Sequence, residues 1–175
     1  MKGKLSGKKI LMFVDDLYED LELWYPKLRL IEEDAEVLVA GKEKGKIYSG
    51  KHTYPCRADA SFDELNDRDF DALVIPGGFA PDKLRREQNV LKLTKNIFKS
   101  GKLVAHICHA GWIPISAGIM KSFRCTSTPG IKDDLMNAGA IWVDEPVVVD
   151  SNMISSRRPD DLPKFCKAII EYLSK

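Results

Sequence analysis

The sequence predicts an α/β fold in which helices cover a mostly parallel sheet. Short apolar runs alternate with helical patterns along the chain, and this alternation is typical of parallel strands joined by helices. No internal repeat, low-complexity tract or linker interrupts the pattern. The 175 residues suit one domain, residues 1–175, which is long enough to bury its own core.

The first strand and helix are predicted from Lys9–Asp15 and from a segment that runs to about Glu33. Pro26 lies within the helical segment and lacks the amide that a helix interior needs. We therefore expect a break or kink there, or a helix that begins at Pro26, where a first-turn proline is tolerated. Ala35–Ala40 then forms the second predicted strand.

The middle of the chain contains a hairpin as well as parallel strands. Ser49-Gly50 and Pro55 within Ile47–Ala58 indicate a β-hairpin, and Ser61 with Glu64 forms a capping box that opens a short helix. The elements predicted after it are a strand Ala72–Ile75, a helix Asn89–Lys99, a strand Leu103–Ile107, a helix His109–Ala117, a helix Ile131–Ala138, strands Ile141–Val143 and Val147–Val149, and a helix from about Asp160 to Leu173.

Composition excludes several classes of protein. A formal net charge of +1 gives no basic excess for nucleic acid. The apolar run Ile10–Val14 is too short for a signal peptide, and no stretch approaches the ~20 apolar residues of a membrane helix, so we expect a cytoplasmic protein. Cys56, Cys125 and Cys166 have no Cys-x-x-Cys spacing and read as packing residues, so neither a disulfide framework nor a metal site is expected.

Cys108 has a context that favours chemistry. The apolar strand Leu103–Ile107 runs directly into Cys108, His109 and small residues. A nucleophile at such a strand-to-helix turn projects above the sheet edge. A helix N-terminus and the neighbouring imidazole are expected to lower the pKa of its thiol. The alternative is a buried structural cysteine at the end of a core strand.

Two further loops belong to the same predicted sheet edge. Gly77 and Gly78 follow another buried strand and offer amides for a developing oxyanion, and Asp82 follows within reach of an imidazole. Glu19 and Glu22 follow the first strand and share a helix face. Taken alone, Gly77 and Gly78 are explained equally well by an ordinary turn. Glu19 and Glu22, taken alone, are explained equally well by the acids that commonly begin a helix.

The ordered motifs resemble those of a known family. They are Tyr18-Glu19-Asp20-Leu21-Glu22 with Pro26, Phe70 to Gly78, Ala80-Pro81-Asp82, Ile107-Cys108-His109, Ser127 with Pro129 to Asp134, Asn137 to Asp144, and Ser155-Ser156-Arg157 with Pro159 to Leu162. The chain resembles the PfpI-type intracellular protease family, in the superfamily that includes the parkinsonism-associated protein deglycase. The resemblance implies a flavodoxin-like three-layer sandwich of the class I glutamine amidotransferase type.

The resemblance also implies roles for individual residues. It implies that Cys108 is the nucleophile, that His109 is its base and that Asp82 completes a triad from a neighbouring subunit, although some members have Glu at that position. Gly78 and the amide of His109 match the oxyanion hole. Glu22 matches the acid that hydrogen-bonds the sulfur, and Glu19 lines the same pocket.

Three functions remain open at this point. The first is a cofactor-independent enzyme that acts on reactive carbonyls, either converting methylglyoxal to lactate without glutathione or removing glycation adducts from proteins and peptides. The second is an intracellular cysteine protease or amidase with the same Cys108–His109 site. The third is a redox-sensing or chaperone-like stress protein in which Cys108 is oxidised. A metal site of His106, Cys108 and His109 is a distant fourth. We expect a homo-oligomer, a dimer or a hexamer.

Overall fold

A computed structural model describes residues 3–175, and its centre is a seven-stranded sheet. In chain order the strands are β1 (Lys9–Phe13), β2 (Glu36–Gly41), β3 (Ile47–Ser49), β4 (Pro55–Arg57), β5 (Ala60–Ser61), β6 (Ala72–Ile75), β7 (Leu103–Ile107), β8 (Arg124–Cys125), β9 (Ile141–Trp142), β10 (Val147–Asp150) and β11 (Met153–Ser156). The central order is β10-β11-β7-β6-β1-β2-β5, and every neighbouring pair is parallel except β10 with β11.

Helices pack around this sheet. They are α1 (Asp20–Glu32), α2 (Ala80–Leu84), α3 (Gln88–Lys99), α4 (Trp112–Ser116), α5 (Lys132–Asn137) and α6 (Leu162–Leu173). Helices α1 and α6 pack against each other, and α3 packs against α4 and against β6 and β7. All residues of β6 and β7 are buried, as expected for parallel strands with helices on both faces.

The structure confirms the α/β class and the mostly parallel sheet, and it also confirms the predicted hairpin. Strands β3 and β4 pair antiparallel, and the capping box of Ser61 and Glu64 begins a 3₁₀ turn, Phe62–Glu64. Among residues 3–175, no helix is long and apolar enough to cross a membrane.

Three local predictions were wrong. Helix α1 runs without a break through Pro26, whose buried ring packs in the protein interior. Strand β11 was missed because Ser155 and Ser156 make its sequence polar, yet it is buried between β10 and β7. The expected helix His109–Ala117 is a 3₁₀ turn, Cys108–Gly111, followed by the short helix α4.

Candidate active site

The backbone of Cys108 is in the left-handed region, with φ of 62°. The residue follows β7 directly and opens the 3₁₀ turn Cys108–Gly111. A residue with a Cβ in this conformation costs about 1–3 kcal/mol, so the surrounding structure must hold it in place. The sharp turn at the carboxyl end of a central strand is the feature that the sequence predicted for a nucleophile.

His109 lies next to the thiol in space as well as in sequence. Its Nδ1 is 3.3 Å from Sγ of Cys108, and its ring packs against Trp112 with centroids 5.3 Å apart. Burial lowers the pKa of His109, and the positive charge of Lys51 lowers it further. The imidazole is therefore neutral near pH 7 and is free to accept a proton.

Glu22 is a fully buried acid on the first turn of α1. Its Oε2 accepts a hydrogen bond of 2.8 Å from the amide of Gly77, whereas Oε1 has no hydrogen-bond partner among the described residues. Burial raises its pKa from 4.5 to about 8, and the charge of Glu19 contributes in the same direction. Glu22 is consequently protonated at neutral pH, and its carboxyl group is able to donate a hydrogen bond.

The two glycines after β6 differ in what their amides do. Gly77 has no room for a side chain, because a Cβ there would lie 2.5 Å from Oε2 of Glu22 and 2.8 Å from Cβ of Cys108. The sequence predicts Gly77 as an oxyanion donor, and in this structure its amide donates instead to Oε2 of Glu22. The amides of Gly78 and His109 act on the thiol of Cys108, where they oppose the rise in its pKa that burial causes.

The pKa of Cys108 differs from the expectation. Burial, followed by the charge of an ionised Glu22, raises it to about 12, while the amides of His109 and Gly78 act in the opposite direction. The expectation of a lowered pKa overlooked the loss of solvent around the sulfur and the neighbouring carboxyl group. The resting side chain is a thiol, so a reaction at sulfur needs a base to take its proton.

Lys51 is a site residue that the sequence analysis missed. Its Nζ lies 2.5 Å from Oε2 of Glu19, whose carboxylate is almost completely buried. The hairpin was predicted, but neither periodicity nor motif spacing shows that its connecting turn reaches the loop before α1. A lysine next to a glycine in that turn was the only available signal.

A carboxylate on α1 holds the hairpin turn. Both oxygens of Asp20 accept backbone hydrogen bonds, from His52 at 2.9 Å and from Tyr54 at 3.0 Å. Glu19, Asp20 and His52 place potential ligand atoms within 4.8 Å of one another. Lys51 already supplies the cation beside Glu19, so we assign this cluster to anchoring the hairpin.

Asp82 does not meet the histidine within the chain. It lies on α2 with an exposed side chain, and its Oδ2 is 3.3 Å from Nη2 of Arg86. Its side chain makes no hydrogen bond to His109 in the described part of the chain. Within one protomer, Asp82 is therefore not bonded to the Cys108–His109 pair, whose acid the sequence predicted it to be.

His106 does not join a metal site with Cys108 and His109. It is completely buried on β7, and neither ring nitrogen has a hydrogen-bond partner among residues 3–175. A carbon of its ring lies 3.6 Å from the position that a Cβ at Gly111 would take. Burial lowers the pKa of His106 to about 4, so it is neutral.

The fold and the site together define the class of protein: an α/β protein with a strand-end cysteine flanked by an imidazole and a buried carboxyl group. The DJ-1/PfpI family profile matches residues 8–172 of the chain. The chain belongs to the DJ-1/PfpI family.

Known relatives agree with this assignment. A deglycase of Pyrococcus abyssi is 48% identical over 94% of this chain and 99% of its own length. General stress protein 18 of Bacillus subtilis is 40% identical over 97% of this chain and 99% of its own length. The crystal structure of DJ-1beta from Drosophila melanogaster superposes with a TM-score of 0.90 at 28% identity, covering 95% of this chain and 90% of that one.

Proposed function

We propose that the protein is a cofactor-independent enzyme that uses Cys108 to attack reactive carbonyl compounds. Its substrates are small 2-oxoaldehydes such as methylglyoxal, or the adducts that they form on proteins and peptides. The observation that carries the proposal is the 3.3 Å approach of a neutral His109 to a thiol held in a strained turn. Similarity to a relative named as a deglycase supports the same substrate class.

The first step is attack of sulfur on the aldehyde carbon. The thiol proton moves from Sγ to Nδ1 of His109 while the C–S bond forms and the C=O electron pair becomes an oxyanion. We assign the amides of Gly78 and His109, which oppose the rise in the pKa of Cys108, to the stabilisation of that charge. Return of the proton from His109 to the oxyanion gives a hemithioacetal.

An oxoaldehyde then becomes a hydroxy acid without a cofactor. His109 removes the hydrogen on the carbon bonded to sulfur as a proton, and the electron pair shifts to the neighbouring ketone oxygen, which takes up a proton to give an enediol. Protonation of the other carbon, with loss of the hydroxyl proton on the carbon bonded to sulfur, gives the thioester of the hydroxy acid. Water then cleaves the C–S bond, releasing lactate in the case of methylglyoxal and restoring the thiol.

Glu22 and Glu19 act beside the nucleophile in this proposal. A protonated Glu22 donates a hydrogen bond toward the sulfur or toward the substrate oxygen, because its Oε1 has no other partner among the described residues. Gly77 holds Glu22 in place through its amide and leaves space at the sulfur. Glu19, paired with Lys51, contributes a carboxylate beside Glu22.

Aldehyde chemistry is favoured over cleavage of an amide. An aldehyde is strongly electrophilic and has no amine to expel, whereas an amide needs an acid that protonates the leaving nitrogen. The exposed Asp82 does not orient His109 within one chain. A homo-oligomer in which Asp82 reaches His109 of a neighbouring subunit would supply a third group, and we include that assembly in the proposal.

The assay compares the two reactions directly. Purified protein is given methylglyoxal, with D- and L-lactate measured, and separately a short peptide amide that releases a fluorophore. We expect lactate from the parent protein and none from Cys108→Ala, while Cys125→Ala serves as the control for a cysteine away from the site. Fluorophore release without lactate formation would favour the amidase instead.

A second candidate function is oxidation sensing at the same cysteine. The observation that favours it is the unpartnered Oε1 of Glu22, which in its protonated form would donate a hydrogen bond to a sulfinate on Cys108. Similarity to a protein named as a general stress protein agrees with this reading. A cytoplasmic location remains a prediction from the sequence.

A further inference from the structure

Lys51 brings a positive charge to the candidate active site from the turn of the β3–β4 hairpin. Its Nζ is paired with Oε2 of Glu19 at 2.5 Å, and its side chain is only 36% exposed. Its backbone amide donates to the carbonyl oxygen of Tyr18 at 2.9 Å. The ammonium group therefore lies against the loop before α1, which borders Gly78.

The hairpin turn is built to keep the lysine in that position. Asp20 accepts hydrogen bonds from the amides of His52 and Tyr54, and the hydroxyl group of Tyr18 donates to the carbonyl oxygen of Tyr54. Gly50 lies so close to Asp20 that a Cβ there would collide with the carboxylate. These contacts hold both ends of the turn, so Lys51 has little freedom to move away.

The charge of Lys51 acts on the groups around the sulfur. Burial lowers the pKa of His109 and the charge of Lys51 lowers it further, whereas for Glu22 the same charge opposes the larger rise that burial causes. The hydrogen bond to Glu19 raises the pKa of Lys51, and the charges of Cys108 and Glu22 contribute in the same direction. Titratable groups on or just before α1 also lie near the hairpin turn: Glu19 pairs with Lys51, Asp20 accepts hydrogen bonds from the turn, and Glu22 is the buried acid beside Gly77.

The charged groups of α2 are engaged elsewhere. The carboxylate of Asp82 pairs with Arg86, and Nζ of Lys83 lies 3.9 Å from Oδ1 of Asp15. In the described part of the chain, Lys51 is thus the cation that acts on both acid–base partners of the thiol.

We propose that Lys51 is a positioning residue for the reaction of Cys108. Its ammonium group keeps His109 in the unprotonated, basic form and favours the negative charge that develops at the sulfur. This inference rests on the proposed function only in taking Cys108 as the nucleophile. It does not depend on whether the substrate is an aldehyde or an amide.

The competing explanation is that the Lys51–Glu19 pair merely tethers the hairpin. Two substitutions separate the explanations, because Lys51→Met and Glu19→Gln break the same ion pair but remove opposite charges. A tether predicts that both variants react more slowly. The electrostatic role predicts opposite effects, with Lys51→Met slower and Glu19→Gln faster than the parent.

The experiment measures alkylation of Cys108 by iodoacetamide from pH 5.5 to 9, followed by peptide mass spectrometry. We expect Lys51→Met to react about tenfold more slowly at pH 7, the effect of a change of about one pKa unit. Lys51→Arg retains the charge and should restore most of the rate. Lys83→Met removes an equally exposed lysine that pairs with Asp15, and it should react like the parent.

Two further readouts report charge rather than structure. The titration of His109, followed by NMR, should shift to higher pH in Lys51→Met but not in Lys83→Met. The rate ratio of the anionic reagent iodoacetate to neutral iodoacetamide should fall in Lys51→Met and rise in Glu19→Gln.

The inference is overturned if Lys51→Met and Glu19→Gln both slow alkylation, or if Lys51→Met behaves like Lys83→Met. The proposed function fails separately, and on a different measurement, if Cys108→Ala still forms lactate.

Discussion

Gly78 is the residue at which a single methyl group should disturb the site most. Its φ is 82°, and a Cβ there would lie 2.6 Å from the carbonyl oxygen of Leu17 and 2.7 Å from the carbonyl carbon of Tyr18. Those atoms are backbone, held by the hydrogen bonds from Phe79 to Leu17 and from Glu19 to Gly77. The neighbours therefore cannot move aside as a flexible side chain would.

A matched control separates conformational strain from collision. Gly101 has φ of 79° and nothing within 4 Å of the position of its Cβ. An alanine in the left-handed region costs about 1–2 kcal/mol at either position. The change in the entropy of the unfolded chain is the same for both and cancels in the comparison.

Only Gly78→Ala adds the penalty of overpacking, about 1–3 kcal/mol. For a chain of 175 residues, 1 kcal/mol shifts Tm by about 2–4 °C. We expect Gly78→Ala to melt about 2–12 °C below Gly101→Ala in calorimetry. It should also slow alkylation of Cys108, because the displaced backbone carries the Gly78 amide, which opposes the rise in the pKa of the thiol. Equal Tm values in the two variants would show that the loop yields, and the argument from close packing at Gly78 would be wrong.

Three other outcomes are expected. Because the folded pKa of Glu22 is raised from 4.5 to about 8, the native state keeps a proton that the unfolded chain loses, so stability falls as pH rises through this window. Glu22→Gln should flatten the Tm profile between pH 5 and 8.5, and an unchanged slope would contradict a buried, protonated Glu22. Mild peroxide should convert Cys108 to a sulfinic acid in the parent and in Glu22→Gln but give mixed products in Glu22→Ala. Identical mass spectra of all three proteins would exclude a role for Glu22 in the oxidation of Cys108. If the site is shared between subunits, exchanging subunits between Cys108→Ala and Asp82→Ala proteins should restore activity. An inactive mixture would contradict the shared site.

Local sequence patterns were sufficient for most of the architecture. Buried parallel strands such as β6 and β7 are continuous apolar runs, and helix α3 has regularly spaced apolar residues, so each is visible without knowledge of its neighbours. Strand β11 was missed because two serines make its sequence polar, while its pairing with β7 and β10 and its packing against α6 are visible only in the folded chain. Pro26 was misleading because the stability of α1 comes from packing rather than from one hydrogen bond.

In the candidate site, too, some features follow from local sequence and others depend on packing. By itself, the sequence determined that Cys108, His109, Gly78 and the acids after β1 would meet at one sheet edge, because the carboxyl ends of parallel strands all lie there. Only the tertiary structure decided the protonation of the groups. Desolvation by residues distant in sequence makes Glu22 an acid and Cys108 a resting thiol, reversing the expected pKa shift of the cysteine.

The tertiary structure also decided which atoms are available and which charges are near. It bonds the amide of Gly77 to Glu22, and it carries Lys51 across from the hairpin to Glu19. Neither contact follows from a sequence pattern, because each joins residues that are more than thirty positions apart and that meet only in the folded chain. Residue types and strand order follow from local chemistry, whereas solvent exclusion and the placement of charge follow from the packed whole.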